Sequence, residues 1–174
     1  MSALVIYESM FGNTKQVATA IVEGIASRME VLLREVSSAP EAFAPGVDLV
    51  VVGAPTHAFG LSRPSTRADA ARQVAGLVSP SFGVREWLAA LDPSAHVLVA
   101  TFDTRVNRGW IPGAASRTAA RLLRRRGFTV ADQTSFLVDG MQGPLAGGEL
   151  DRAREWGRSL AETVIARTPR ARTP

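Results

Sequence analysis

The sequence predicts a doubly wound α/β fold: a three-layer αβα sandwich around a five-stranded parallel sheet in the order 2-1-3-4-5. Three observations predict it. Strand-like apolar runs alternate with amphipathic helical stretches along the chain, as a parallel sheet with helical crossovers requires. The run Asp48-Leu49-Val50-Val51-Val52-Gly53-Ala54 has an unbroken β-branched centre, the composition of a central strand covered on both faces. The first strand also breaks into a hydroxyl- and glycine-containing loop that opens a helix. There several amide N–H groups and the helix dipole meet at one spot, which suits an anion such as phosphate.

Each element follows in order. Residues 3–7 form strand one. From Thr14 the period becomes helical, with Val17, Ala18, Ile21, Val22 and Ile25 on one face and Lys15, Gln16, Glu23 and Arg28 elsewhere, so helix one spans about 14–28. Met29 to Val36 is strand two. The polar, Pro-containing stretch Ser37 to Gly46 leads into strand three. Pro55 to Pro64 is a Gly/Pro-punctuated loop, followed by helix-compatible sequence to about Gly76. After a break at Ser79–Gly83, a short helix over Val84–Leu91 carries Trp87 and Leu88. His96 to Phe102 is strand four and Asp103 to Gly113 a polar loop. Ala114 to Arg126 is a helix stopped by Gly127 in the left-handed conformation. Phe128 to Val138 is strand five, bent or interrupted near Asp132-Gln133. The loop Asp139–Gly148 precedes a last helix in which Leu150, Ala153, Gly157, Leu160 and Val164 share a face. Residues 1–166 read as one domain, and 167–174, with no apolar pattern, as a disordered basic tail.

Composition narrows the chemistry. The chain has 174 residues, 46% hydrophobic and 21% charged, and no apolar run near the roughly 20 residues of a membrane span. It opens without a basic segment and long apolar stretch, so the sequence carries no sign of a secretory leader and points to the cytoplasm. It contains no cysteine. Thiol redox chemistry, iron–sulfur ligation and Cys-based zinc sites are thereby excluded, so any electron carried here needs an organic cofactor. Lys15 is the one lysine among 20 basic residues, set against 16 acidic ones for a formal charge of +4.

The first loop is Ser9-Met10-Phe11-Gly12-Asn13-Thr14. It has one glycine where the dinucleotide fingerprint needs three, and its Gly-Asn-Thr-Lys order is not the Gly-Lys-Ser/Thr of a P-loop. The hydroxyl-x-x-Gly-x-Thr pattern resembles the FMN-phosphate loop of the flavodoxin family, and the resemblance covers roughly residues 3–165. It implies a flavodoxin-like fold with FMN as cofactor, held at its phosphate by residues 9–14. Pro55-Thr56-His57-Ala58-Phe59-Gly60 is similar to the second, ring-contacting loop of that family, with Phe59 as the aromatic. Thr101-Phe102-Asp103-Thr104-Arg105 would face the ring from the other side, Asp103 accepting from a ring N–H, Arg105 stabilising negative charge and Trp110 closing as a stacking lid. In such sheets ligands bind beyond the carboxyl ends of the strands at the switch point, and the three loops are the ones that rule selects. His57 is read as positioning or exposed rather than catalytic. Gly143-Pro144-Leu145 and Trp156-Gly157 look like the family's C-terminal pattern and are read as packing. The missing tyrosine after strand four and the positive charge depart from acidic electron carriers.

Several functions follow from this resemblance: an FMN-binding electron-transfer protein, an FMN-dependent NAD(P)H:quinone-type oxidoreductase, or a fold that has lost FMN and serves as an interaction domain. The first implies a redox protein partner, a reductase or an acceptor. Arg117, Arg121, Arg124 and Arg125 recur at helical spacing, as an acidic partner surface or plain solvation of a helix would each allow. No aromatic-interleaved recognition motif accompanies them, so nucleic acid is not an expected partner.

Overall fold

The computed structural model of the protein describes residues 1–57, 59–73, 76–93, 96–108 and 113–167. The chain runs β1 (Ser2–Tyr7), α1 (Asn13–Ala26), β2 (Glu30–Glu35), a 3-10 turn (Val36–Ser38), β3 (Val47–Pro55), α2 (Pro64–Ala71), α3 (Val84–Ala90), β4 (Leu98–Val106), α4 (Ala115–Arg125), β5 (Thr129–Val138) and α5 (Glu149–Arg167). All neighbouring strands are parallel, in the order 2-1-3-4-5, as the sequence predicts.

Strand alternation divides the core in two. In β3, Val51 points towards α1 and α5 and packs with Val5, Ala100, Phe136, Ile21 and Leu160. Val50 and Val52 point the other way and pack with Ile6, Leu88, Ala119, Leu123 and Trp87. A strand buried on both faces needs this continuous apolar composition.

The layer over the first face is set by two glycines. A Cβ on Gly24 of α1 would lie 2.0 Å from the Arg154 carbonyl oxygen of α5, and one on Gly157 would lie 2.4 Å from that of Ile21. Backbone thus meets backbone, which is possible only without side chains. Gly24→Ala should gain about 1 kcal/mol of helix propensity. Overpacking costs about 1–3 kcal/mol, and here at the upper end because two helix backbones must separate. A net loss of about 1–2 kcal/mol in urea unfolding is expected; an unchanged midpoint would show that the helices separate freely.

Boundaries differ most from the expectation at β4 and α2. β4 runs to Val106, beyond Phe102, because β5 pairs with it as far as Val106 opposite Val138. α2 ends at Ala71 and not near Gly76; only its Arg67 and Ala70 are buried, and tertiary packing is what sustains a short helix. The interruption of β5 is a bulge at Ala131, since Val99 pairs with Val130 and Ala100 with Asp132. α5 continues through Arg167, and the rest of the expected tail, 168–174, lies outside the described residues.

Candidate functional site

β1 ends by delivering Glu8 and Ser9 beyond the sheet. Ser9 is fully buried and fastened to the segment before α3: its N–H donates to Ser79 Oγ (3.1 Å), and Ser79 N–H donates to the Ser9 carbonyl (2.8 Å). Ser9 Oγ accepts from the N–H of Gly12 (3.1 Å) and of Lys15 (3.4 Å), which curls the loop onto itself. Gly12 takes φ 91°, the left-handed region that favours glycine. The chain then enters α1 with the amides of Asn13 and Thr14 in its first turn, where no intrahelical acceptor exists. Because Ser9 Oγ accepts twice, its own O–H remains a donor.

Thr14 is buried, and its Oγ1 lies 2.8 Å from Oγ1 of Thr104 on β4. One hydroxyl donates to the other, so the pair retains one O–H for a further acceptor. Asn13 Nδ2 donates to the Gln142 carbonyl (2.9 Å), tying the 139–148 loop to the first loop.

These groups stand at one end of a cleft of about 310 Å³ at the carboxyl ends of β1, β3 and β4, within the range of small-molecule sites. Of the expected residues, Ser9, Met10, Phe11, Asn13, Thr14, Pro55, Thr56, His57, Thr104 and Arg105 line it. Gly12 makes the turn. Gly60 closes a tight hairpin with His57 through two backbone bonds of 2.9 and 3.0 Å, and Phe59 sits 61% exposed at its tip with φ 70°. It is not among the residues lining the cleft. Ala58 and Trp110 lie outside the described residues.

Three expected contacts are turned away from the cleft. Thr101 Oγ1 donates to the Ser116 carbonyl (3.0 Å). Phe102 is buried, edge-on to Phe136 and Trp156. Asp103 is fully buried and accepts the Ser116 N–H (2.8 Å) in the first turn of α4. Burial pushes its carboxyl above the ordinary value, against hydrogen bonds from Ser116 and Ser135 and the charge of Arg105. Asp103 therefore anchors a helix terminus; the expected ring N–H acceptor role does not match this geometry. The physical reason is strand parity: β4 continues past Phe102, so Asp103, read as loop, is strand and points under α4 with Thr101, while Phe102 enters the opposite core.

Sequence reasoning missed the fourth wall, formed by Thr66, Asp69, Ala70 and Gln73. Their i, i+3, i+4, i+7 spacing marks one face of a helix directly after the second rim loop, a signal present in the sequence. Behind that wall sits a buried charge cluster. Arg67 Nη1 donates to Ser62 Oγ (2.8 Å), and Nη1 and Nη2 both reach Glu86 (3.2 and 2.9 Å). Glu8 Oε2 accepts the Val84 N–H (2.8 Å) beside them.

Burial, and then the Arg67 charge, lower the pKa of His57 below 6.5. The native state thus disfavours the imidazolium, and between the two pKa values the unfolded chain binds more protons. Stability is unaffected above about pH 7 and falls as pH drops through about 6.5. His57→Gln should remove that component. Urea unfolding at two pH values, one on each side of 6.5, measures it, and equal slopes in both proteins would exclude it.

Neither the family models nor the curated proteins contain a match to this sequence. Solved structures do match. A flavodoxin from the domain Archaea aligns over 95% of this chain and 99% of its own, with TM-score 0.64 and 22% identity. Oxidised flavodoxin 1 from Bacillus cereus aligns over 97% and 99%, with TM-score 0.66 and 17% identity. The fold is flavodoxin-like. The flavodoxin, WrbA-like protein from Agrobacterium tumefaciens (17% identity, 96% of this chain and 99% of that one, TM-score 0.56) shares the same flavodoxin-like arrangement. In the Flv1 flavodiiron core from Synechocystis the fold corresponds to 37% of the longer chain (18% identity, 97% of this chain, TM-score 0.64).

Proposed function

We propose that residues 1–166 form an FMN-binding, flavodoxin-like electron-transfer domain. The observation that carries this reading is the donor set of the cleft. The first turn of α1, the Ser9 hydroxyl and the Thr14–Thr104 pair place neutral donors at one end, and a phosphate monoester is the group such a helix start accepts. Pro55, Thr56 and His57 from the end of β3 and Thr104, Arg105 and Val106 from the neighbouring end of β4 line the cleft, which supports a flat ring lying against them. The donor set fits FMN. When bound, the flavin would supply the electron chemistry; the chain would bind the phosphate, orient the ring and supply the Arg105 charge at the wall.

The partner we propose is a redox protein with an acidic surface. Arg117, Arg121, Arg124 and Arg125 are exposed on α4. The start of that helix abuts the cleft, because Ala115 N–H donates to Thr56 Oγ1 (3.0 Å). A basic face beside the cleft would steer an acidic partner towards it. Arg126 is not part of that face; it donates to the Leu91 and Ala89 carbonyls at the end of α3.

Titration of the apo-protein with FMN, followed by flavin fluorescence, tests the reading. One-to-one quenching at low micromolar concentration or below is expected. No binding at tens of micromolar would leave an interaction domain as the better account, and rapid NAD(P)H oxidation with a quinone would favour the oxidoreductase.

A further inference from the structure

Three of the four crossovers of this sheet carry α-helices; the one from β2 to β3 does not. It passes through the 3-10 turn Val36–Ser38 and an irregular stretch to Gly46. Among the described residues, one face of the sheet is left only partly covered at its β2 end. Leu32 is 58% exposed there, level in register with Leu4 of β1. A groove of about 730 Å³ runs past Leu32, Phe43 and Val47, with Glu30 and Arg34 also on its wall. The outer edge of β2 has no strand neighbour among the described residues. An apolar-centred free edge is a template for strand pairing.

We propose that this edge pairs with the same edge of a second copy of the chain, joining the two sheets antiparallel about a two-fold axis at Leu32. The edge segment Glu30-Val31-Leu32-Leu33-Arg34 is self-complementary. In an antiparallel pair centred on Leu32, Glu30 stands opposite Arg34 of the second copy and Arg34 opposite its Glu30. Leu32 meets Leu32, and on the other face Val31 meets Leu33. Directly opposed residues interact across strands, opposite charges favourably and like charges unfavourably.

Neighbouring registers lose this match. Shifting the pairing by one residue sets Glu30 against Glu35, or Leu32 against Val31 with Glu30 facing Leu33. Centring it on Leu33 opposes Leu32 to Arg34, and centring it on Val31 opposes Glu30 to Leu32. Edge charges ordinarily discourage pairing; here their opposite signs at mirrored positions select one register. Arg34 Nη1 donates to the carbonyl of the adjacent Leu33 in its own chain (3.1 Å) and exchanges that contact for the facing carboxylate. A two-fold contact of this kind is closed, giving a dimer and not a fibre.

The groove abuts Ser2, Ala3 and Leu4 at the start of β1, whereas the cleft lies at the strands' carboxyl ends. The two readings therefore fail separately. Sedimentation equilibrium of the full chain, with FMN titration as a parallel readout, is the test. The wild type is expected at twice the 18.5 kDa chain mass. Glu30→Arg, Arg34→Glu and Leu32→Asp should each give monomer with FMN affinity unchanged, and the double variant Glu30→Arg/Arg34→Glu should restore the dimer. A wild-type monomer up to about 100 μM would overturn the proposal. So would a dimer indifferent to these substitutions, or a double variant that stays monomeric.

Discussion

Thr14→Val is expected to weaken FMN binding by about 10- to 100-fold while leaving the affinity for riboflavin within about threefold. The substitution removes the hydroxyl and keeps the shape. Thr14 is buried at the start of α1, and its Oγ1 shares one hydrogen bond with Thr104 Oγ1. Between them the two hydroxyls hold one spare O–H, and an anion at the helix start is the acceptor it suits. A hydrogen bond to a charged group contributes about 1.5–3 kcal/mol, which is roughly one to two decades of affinity. Riboflavin has the ring and lacks the phosphate, so it reports on the walls alone. Fluorescence titrations with both ligands separate the two ends of the cleft. Equal losses for both would mean that Thr14 shapes the ring pocket and that the phosphate sits elsewhere. Thr104→Val should lower FMN affinity in the same direction, since it removes the other half of the pair.

The sequence carried the fold more completely than the site. The β-branched centre of β3 could only be a strand buried on both faces, and the change of period at Thr14 could only be a helix start, because both signals are local. The parts of the rim at 9–14 and 55–57 that line the cleft were legible for the same reason. The third was misjudged at one point. Asp103, Thr104 and Arg105 are polar, a pattern that reads as loop after a strand ending at Phe102, yet polar residues continue a strand when each finds a partner across the fold. Asp103 meets Ser116, and Thr104 meets Thr14 from 90 positions away. Parity already held part of the answer: in an extended strand 101 and 103 must face opposite to 102 and 104. The helical face of Thr66, Asp69, Ala70 and Gln73 was readable from spacing and went unread. The pairing of Arg67 with Glu86, 19 residues on, and the approach of Glu8 from β1 depend on the tertiary fold and have no local signal.

That cluster is where the largest stability effect is expected: Arg67→Met should lower the unfolding free energy by about 3–5 kcal/mol. Arg67 is 1% exposed and Glu8 0%. The guanidinium holds Glu86 through both terminal nitrogens and Ser62 through one of them. A Cβ on Gly83 would lie 2.6 Å from Arg67 Nη1 and 2.8 Å from Glu8 Oε2, so the glycine is what lets these groups close up. Methionine fills the space of the aliphatic stem and removes the cation that faces these carboxylates. Breaking a buried pair leaves an uncompensated charge, whose cost is of this order. At about 2–4 °C per kcal/mol for a domain of this size, the melting temperature should fall by roughly 6–20 °C.

The pH dependence gives the sharper test. Burial raises the Glu8 carboxyl above 4.5, against Ser62, the Val84 amide and the Arg67 charge. A raised carboxyl contributes stability below the unfolded pKa and loses it as pH climbs through the folded one. Without Arg67 the folded pKa rises further, so the loss extends to higher pH. Burial also acts upwards on Glu86, but Arg67 and the Gly83 amide together hold it below its ordinary value, and removing Arg67 releases that hold. The deficit of Arg67→Met relative to wild type should therefore be larger at pH 8 than at pH 5, and Glu8→Gln in the same background should recover part of it at pH 8. A deficit below 1 kcal/mol that does not vary with pH would mean that water reaches the cluster and that α2 is held over the cleft by packing alone.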